Sequence, residues 1–374
     1  MKRTFKFTAL ILALIMIVTS FGACGGEEQK ETQTESETEK VTQTESETET
    51  ETEPVFEDLI PENINPLTGL EAEYDVSKSR PIGVMFNNIA DALPQVGIRE
   101  CDILFECLAE GGITRLFGLI DEYRDLGVVG SIRSCRPYYL DFAQTFDAIY
   151  VHAGGSEDAY ADIANRGINN IDGVRFDPLG IYYRDEQRMQ TMLIEHTLMT
   201  TGEGIIKTIE HCNYRTELRD GFEYPFVFPE WGESCDIGGD ESVAIHLPIS
   251  WYQTVDYKYD PESSLYLRYQ YDGEPHIDGE TGEQLKFTNV IVLFCDSYVY
   301  DYYGRLKVNT VGDGDGFLAT GGKYIPIKWH RDGQDTNAVF TRADNGQIIT
   351  INRGKTAINV CATDIVNEVS MNAK

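Results

Sequence analysis

The chain has 374 residues, with 62 acidic and 31 basic side chains and a formal net charge of −31 at pH 7. A body this acidic repels nucleic acid and anionic lipid surfaces, which argues against direct DNA or RNA binding. An anionic ligand would need a local cluster of basic side chains. The length is sufficient for two folded domains.

The first 24 residues are predicted to be a secretory signal. Lys2, Arg3 and Lys6 precede an apolar run that is short for a bilayer span. The run ends in FGAC at residues 21–24, and a cysteine after small residues resembles the bacterial lipobox, whose cysteine is lipidated after cleavage. We therefore expect a lipid anchor on Cys24, the alternative being an ordinary cleaved signal peptide.

Residues 25–60 are predicted to form a disordered acidic tether. They are mostly Glu, Thr, Ser and Gln, and they contain the octapeptide TQTESETE twice, at residues 32–39 and 42–49. Such a composition cannot bury enough apolar surface to fold, and the repulsion between its glutamates extends it. The tether would hold the folded part away from the membrane.

Charged side chains flank a predicted β-hairpin early in the folded part. The glycines at 111–112 lie between two apolar runs, and both can adopt the positive φ of a two-residue turn. The resulting register would place Leu108 opposite Arg115, with Arg115 diagonal to Glu106 and Glu110 on one face. This group is either a cross-strand ion pair on a solvated face or a half-buried functional cluster.

After the hairpin, the sequence predicts strands and helices in alternation, joined by loops. The predicted elements are a strand over 128–132, a helix over 137–146, a strand over 147–152 and a helix over 157–166. Ligands of open α/β sheets gather at the carboxyl ends of strands. This rule predicts a cleft formed by Arg133, Arg136, His152 and Ser156. Arginines beside helix N-termini are typical of a phosphate or carboxylate site.

Further along, a helix is predicted over residues 186–200, where His196 either completes the cleft or is structural. From about residue 240 the apolar residues recur with period two, which predicts antiparallel strands. These strands cover residues 243–247, 265–271, 290–294, 306–311, 324–329 and 348–351. The DNG at 344–346 predicts a hairpin turn, and the DGDG at 313–316 a turn rather than a calcium loop.

Together these elements predict an α+β fold. An α/β domain with a mixed sheet would occupy residues 61–230, and an antiparallel β-rich domain residues 231–374. The chain has no Gly-x-Ser-x-Gly, His-Glu-x-x-His, P-loop or dinucleotide-binding motif. Neither a cofactor nor a metal is therefore predicted.

Several phrases of the sequence resemble one known family. They are NPLTGL (65–70), RPIGVMFNN (80–88), LAEGGITRL (108–116), GSIRSCRPYYLDF (130–142), YVHAGGS (150–156), PHIDGETGEQL (275–285) and NVIVLF (289–294). They resemble the YerB-type bacterial lipoproteins over about residues 63–362. The resemblance implies a two-part fold and an anchored location, and it brings no catalytic residues.

A looser likeness concerns residues 131–134 (SIRS) and 151–155 (VHAGG). In order, they resemble phrases of the LytR-CpsA-Psr phosphotransferases, which move glycopolymers from polyprenyl pyrophosphate onto peptidoglycan. The proline and aspartate of the first phrase in those enzymes are missing after Ile132. This likeness is an analogy.

The first functional hypothesis is a non-catalytic or regulatory lipoprotein on the outer face of the bacterial cell membrane. It would bind an anionic cell-wall component or an envelope protein through Arg115, Arg133 and Arg136. The first alternative is an enzyme acting on envelope glycopolymer, with Mg²⁺ as a possible cofactor. Its catalytic candidates are Glu106, Glu110, Asp141 and His152. The second alternative is a receptor for a small solute.

Overall fold

The computed structural model of the chain describes residues 60–373. The predicted signal, Cys24 and nearly all of the tether lie outside these residues. The first half contains β1 (Ile82–Asn87), β2 (Ile103–Leu108), β3 (Thr114–Ile120), β4 (Val128–Gly130), α1 (Pro137–Thr145), β5 (Ile149–His152), α2 (Glu157–Arg166), β6 (Asn170–Asp172), β7 (Tyr183–Arg184), β8 (Leu198–Thr201) and α3 (Gly202–His211). The second half contains β9 (Asp240–Glu241), β10 (Ala244–Leu247), β11 (Val255–Asp260), β12 (Leu265–Gln270), β13 (Glu274–Pro275), β14 (Lys286–Phe287), β15 (Asn289–Cys295), β16 (Ser297–Val299), β17 (Leu306–Val308), β18 (Gly312–Thr320), β19 (Lys323–Arg331), β20 (Val339–Arg342) and β21 (Thr356–Ala362).

A large mixed sheet forms the centre of the fold. Its strand order is β20-β19-β18-β15-β21-β2-β3-β1-β5-β6, with β9 paired to β19. Strands β1, β5 and β6 are parallel, whereas β3 is antiparallel to both β1 and β2. The last strand, β21, lies parallel between β15 and β2. Both halves of the chain therefore contribute to one sheet, and the boundary near residue 230 stays a prediction.

A second, antiparallel sheet lies in the C-terminal half. Its order is β10-β11-β12-β13, with β14 paired to β12. Most of the second-half strands of the large sheet are also antiparallel, because β15, β18, β19 and β20 follow one another as a meander. The predicted α+β class, with a mixed N-terminal sheet and antiparallel C-terminal strands, is confirmed.

The two faces of the large sheet are covered by different elements. On one face α1 packs against β2, where the rings of Phe105 and Phe142 stack with centroids 4.9 Å apart. On the other face the smaller sheet contributes Tyr257 and Tyr266 to a core that includes Leu104. Burying one such side chain stabilises the fold by about 1.5–3 kcal/mol. Residues that alternate along β2 thus face two separate environments.

Of the helix predictions, two are confirmed and one is wrong. Pro137 begins α1, and the Ser156 hydroxyl caps α2 by accepting the N–H of Ala159 at 3.2 Å. Residues 186–200 form two 3-10 turns and β8 instead of a helix. β-branched threonines near residue 200 favour extended backbone, and Thr201 caps the helix that follows, α3. None of the helices within residues 60–373 is long and apolar enough to cross a bilayer.

One strand prediction and one turn prediction in the second half are wrong. Residues 348–351 make only isolated bridges. Residues 313–316 lie within β18 instead of forming a turn. A Cβ at Gly314 would stand 2.2 Å from the Trp329 ring, so the glycine there serves close packing of a tryptophan on the paired strand. The predicted turn at 344–346 is confirmed, with Gly346 at φ 73°.

Candidate functional site

The β2–β3 hairpin forms where the sequence predicts it, but its register is shifted by one residue. Cys107 faces Arg115, and Glu106 faces Leu116. The loop has three residues, Glu110–Gly112, rather than the two of a Gly-Gly turn, and both glycines have positive φ. A shift of one residue moves every side chain to the other face of a sheet. The predicted contact between Glu106 and Arg115 is therefore wrong, because these side chains lie on opposite faces.

On the face toward the smaller sheet, Glu106 is at the centre of a buried polar group that we call the Glu106 cluster: Glu106, Asn88, Thr114, Gln253 and Arg268. The carboxylate accepts hydrogen bonds from Asn88 Nδ2 at 3.0 Å, from Gln253 Nε2 at 2.9 Å and from the Thr114 hydroxyl, and it forms an ion pair with Arg268. Glu106 and Arg268 are each 1% exposed. Every group is satisfied, as a buried ion pair requires.

The hydrogen bonds of Arg268 continue this network. Its Nε donates to His276 Nδ1 at 2.9 Å, and its Nη1 donates to the Tyr257 hydroxyl. Burial and the charge of Arg268 hold the pKa of His276 well below its ordinary value. The imidazole is therefore neutral, and its Nε2 carries the proton that bonds Gln95 Oε1 at 2.9 Å. The network joins the loop after β1 to the smaller sheet and leaves no opening for a ligand.

On the opposite face, two arginines bind one carboxylate and a third arginine lies close enough to feel their charge. We call Arg115, Arg133, Arg136 and Glu110 the arginine cluster. Arg115 Nη2 lies 3.2 Å from Glu110 Oε2, and Arg136 Nε binds the other carboxylate oxygen. Arg133 Nη1 makes only a long contact, 3.4 Å, to the backbone carbonyl of Glu195. Within residues 60–373, Glu110 is the one carboxylate in ion-pair contact with these arginines.

The backbone explains why the three arginines meet. The amide of Arg133 donates to the Met85 carbonyl of β1, and its carbonyl accepts from Ala153 just after β5. Arg136 is the N-cap residue of α1 and Arg115 is on β3 beside the hairpin loop. The cluster therefore lies at the carboxyl ends of the parallel strands β1 and β5, where ligands of open α/β sheets bind.

Arg115 carries donors that nothing in the described part of the chain satisfies. Its side chain is 4% exposed, yet Nε and Nη1 have no hydrogen-bond partner there. An unmade hydrogen bond of a buried donor costs about 1–3 kcal/mol, and more for a charged group. Arg115 is thus the buried cation with the strongest need for an additional acceptor.

The pKa shifts of Arg133 and Glu110 indicate an excess of positive charge in the arginine cluster. Burial, and next the positive charge of Arg115, lower the pKa of Arg133. Burial alone would raise the pKa of Glu110, but Arg115 and Arg136 outweigh it and lower that pKa to about 2. Glu110 therefore remains ionised at any physiological pH and offsets only part of the charge of three guanidinium groups.

The structure gives His152 and Ser156 structural contacts beside the cluster. His152 is fully buried, with Nδ1 2.8 Å from the Gly154 carbonyl and Nε2 3.1 Å from Asn170 Oδ1. Both ring nitrogens are thus engaged by the protein. The Ser156 hydroxyl serves as the cap of α2. Their assignment as ligand-binding residues stays a prediction that these contacts do not favour.

Asp141 lies away from the arginine cluster, whereas His196 lies beside it. Asp141 is on α1, where it binds Arg166 Nη1 at 2.7 Å and the Thr310 hydroxyl, and it contacts none of the three predicted arginines. His196 is buried beside the cluster, with Nδ1 2.9 Å from the Asn87 amide. Burial, and then Arg133, lower the pKa of His196. Of the four catalytic candidates, only Glu110 belongs to the arginine cluster.

Within residues 60–373, no group of three or more His, Cys, Asp or Glu side chains is arranged to hold a metal ion.

Sequence reasoning did not identify Arg268, the partner of Glu106, because 162 residues separate the two. Nothing in the local sequence around residue 268 indicates a buried arginine, since it alternates with tyrosines in an ordinary strand pattern.

Comparison with known proteins identifies the family. Residues 67–215 match the N-terminal domain, and residues 245–358 the C-terminal domain, of the family described as "Protein of unknown function (DUF3048)". This chain belongs to that family. The two matched segments cover most of the folded part, and the resemblance to YerB-type proteins is confirmed.

Two relatives support this assignment. The chain is 28% identical over 312 residues to YerB of Bacillus subtilis (strain 168), a protein whose name describes it as a lipoprotein; the match covers 81% of this chain and 89% of the relative. The crystal structure of YerB protein from Bacillus subtilis matches with a TM-score of 0.69 and 26% identity, covering 82% of this chain and 98% of that one. The first of these relatives is named "Putative lipoprotein YerB", and the anchor at Cys24 stays a prediction.

Proposed function

We propose that this protein is held on the outer face of the cell membrane through Cys24 and that its arginine cluster binds an anionic ligand of the cell envelope. The observation that carries the proposal is Arg115, a buried guanidinium whose Nε and Nη1 have no partner in the described part of the chain. An anion placed there would accept a hydrogen bond from one of these donors and offset part of the excess positive charge of the cluster.

The ligand class follows from the donors. Three guanidinium groups, each a planar fork of N–H donors, suit the oxygens of a phosphate or a carboxylate. The rest of the protein is strongly acidic and repels anions. The arginine cluster would attract an anion locally in spite of this repulsion. A lipoprotein relative supports a location at the envelope, where phosphate-bearing polymers and acidic peptides would be the accessible anions.

Binding is favoured over catalysis by the state of the one carboxylate in the cluster. Glu110 is ion-paired to two arginines, and its pKa of about 2 makes it a weak proton acceptor. The other catalytic candidates contact Arg268, Arg166 or neutral groups instead. The receptor alternative has no specific observation in its favour.

Thermal unfolding with pyrophosphate tests the proposal. Arg133 makes one long contact to the protein, so Arg133→Ala should leave the fold intact while removing one ligand donor. Wild-type protein should be stabilised by pyrophosphate, by about 2.7 kcal/mol at 100 times the dissociation constant. Arg133→Ala should lose most of this stabilisation.

Arg175→Ala is the matched control, because Arg175 is half-exposed, pairs with the exposed Glu157 and lies outside the cluster. It should respond to pyrophosphate as wild type does. Equal responses of all three proteins would mean that pyrophosphate acts through the general charge of the surface, and the proposal would be wrong.

A further inference from the structure

A cavity lies away from the arginine cluster, between α1, α2 and the β16–β17 hairpin. Its volume is about 620 Å³, within the range of small-molecule sites, which is roughly 300–1,000 Å³. The rings of Tyr298 and Tyr300 line it from the hairpin, and both side chains are substantially exposed, 51% and 39%. Tyr298 is paired with Lys307 across the hairpin, so these two side chains project from the same face.

Polar side chains with unused hydrogen-bonding capacity line the same cavity. Asp162, Asn309 and Gln334 contribute a carboxylate and two amides, and none of these three side chains forms a hydrogen bond within residues 60–373. Asp158 accepts one bond, from the Tyr300 hydroxyl at 2.7 Å. Asn309 and Gln334 are exposed and Asp162 is partly exposed, so their donors and acceptors are hydrated in the free protein and available to a hydroxyl-rich ligand.

Two aspartates line the cavity from α2. Asp158 and Asp162 are four residues apart on α2 and therefore lie side by side on one helix face, where like charges repel. Burial raises the pKa of Asp162, and the neighbouring Asp141 and Asp158 add to this increase. Neither aspartate has a basic partner in ion-pair distance within the described residues, although Arg166 follows on the same helix.

We propose that this cavity binds an uncharged oligosaccharide, with a sugar ring stacked on Tyr298 or Tyr300 and its hydroxyls bonded to Asp162, Asn309 and Gln334. Tyrosine rings offer the flat apolar face of a pyranose a rigid surface while their hydroxyls remain available. An acidic sugar is disfavoured by the two aspartates. A simple cation is disfavoured by Lys307, which also lines the cavity. The proposal goes beyond the anion site and does not depend on it.

Isothermal titration calorimetry of the full protein tests this with three tetrasaccharides. The neutral probes are the tetramers of glucose (β-1,4-linked) and of N-acetylglucosamine, and the acidic probe is tetragalacturonate. At least one neutral tetramer should bind with saturation at millimolar concentration or below, and more tightly than the acidic tetramer. Absence of saturable binding by both neutral tetramers, or tighter binding of the acidic one, would overturn the proposal.

The hairpin supplies a matched pair of variants for the probe that binds. Tyr300→Ala removes a ring that lines the cavity and should weaken binding about tenfold. Tyr302→Ala removes a ring that is 88% exposed at the tip of the same hairpin and does not line the cavity, and it should leave the affinity within about twofold. Equal losses in the two variants would place the ligand elsewhere and contradict the proposal.

Two further variants guard against a folding defect. Tyr300→Phe keeps the ring and should retain most of the affinity. Asp162→Asn, which breaks no hydrogen bond of the described structure, should weaken binding several-fold while circular dichroism and the unfolding midpoint confirm an intact fold. If Asp162→Asn binds as wild type does, the assignment of this side chain to the ligand is wrong.

Discussion

The two faces of the β2–β3 hairpin carry buried charge in opposite ways. The Glu106 cluster joins one carboxylate to one arginine, and amides, a hydroxyl and a tyrosine satisfy all that remains. The arginine cluster sets three guanidinium groups against Glu110 and leaves two donors of Arg115 unpaired. The comparison separates a satisfied charge pair between two sheets from a charge excess that is not satisfied within the described residues.

Substitutions in the Glu106 cluster should lower the stability of the protein more than substitutions in the arginine cluster. Glu106→Gln leaves Arg268 charged and buried without a counter-ion, which costs about 3–5 kcal/mol. Urea unfolding monitored by fluorescence measures this loss. Glu203→Gln, which removes an exposed carboxylate paired with Lys207, is the control and should leave the midpoint unchanged. A loss as small as that of the control would mean that the Glu106 cluster does not join the sheets.

Asp121 is a third buried ionisable side chain. Within the described residues it has neither a hydrogen-bond partner nor a group of cations beside it. Its side chain is 1% exposed, and neither carboxylate oxygen has a hydrogen-bond partner among the described residues. Burial, and next Asp102, raise the pKa of Asp121 well above the ordinary 3.8. A raised carboxyl pKa means that stability is lost as the pH rises above 3.8 towards the folded-state pKa.

Asp121→Asn should therefore stabilise the protein at pH 7 by at least about 1.4 kcal/mol, the equivalent of one pKa unit, because folding no longer has to protonate a buried carboxylate or bury its charge. The gain should shrink as the pH approaches 4. Paired urea titrations at the two pH values measure it. A variant less stable than wild type at pH 7 would indicate that an unrecognised partner satisfies Asp121, and would weaken the same inference for Arg115.

Arg115→Met should change stability much less than Glu106→Gln does. Glu110 keeps its contact with Arg136, and methionine fills a similar volume without unsatisfied donors, so we expect a change within about 1 kcal/mol. The same variant should lose the stabilisation by pyrophosphate. If Arg115→Met destabilises the protein as strongly as Glu106→Gln, the arginine is a structural group and the contrast between the faces disappears.

Glu110 should make the stability depend on pH at the acid end of the range. Its pKa is depressed to about 2, so its contribution is present above the ordinary value of 4.5 and is lost as the pH falls towards 2. Glu110→Gln should be less stable than wild type at pH 6, and the two curves should converge at low pH. Parallel curves over this interval would show that Glu110 titrates without coupling to the fold.

The sequence predicted local features well and long-range pairs poorly. The start of α1 at Pro137 and the cap of α2 at Ser156 follow from short-range signals, and both are confirmed. The strand-end rule also brought Arg133 and Arg136 to one place. One extra loop residue in the hairpin reversed the face of Arg115, because the period of a strand is two.

Other features depend on contacts that no local pattern encodes. Arg268 reaches Glu106 across 162 residues, and β21 enters the sheet beside β2 from the end of the chain. The helix predicted over 186–200 was wrong because its C-terminal residues, rich in threonine, pair as β8 with β4 and β7. A single sequence specifies such pairings only through the complete fold.

The most direct test of the central claim is the nuclear magnetic resonance signal of the arginine Nε–H groups during a pyrophosphate titration. Arg115 should show a saturable shift of its Nε–H, because that donor is one of the two left without an acceptor among the described residues. Arg80, equally buried but bonded through Nε to the Asp147 carbonyl at 2.6 Å, should remain unchanged. An unchanged Arg115 signal, or parallel shifts of both arginines, would contradict an anion site at the arginine cluster.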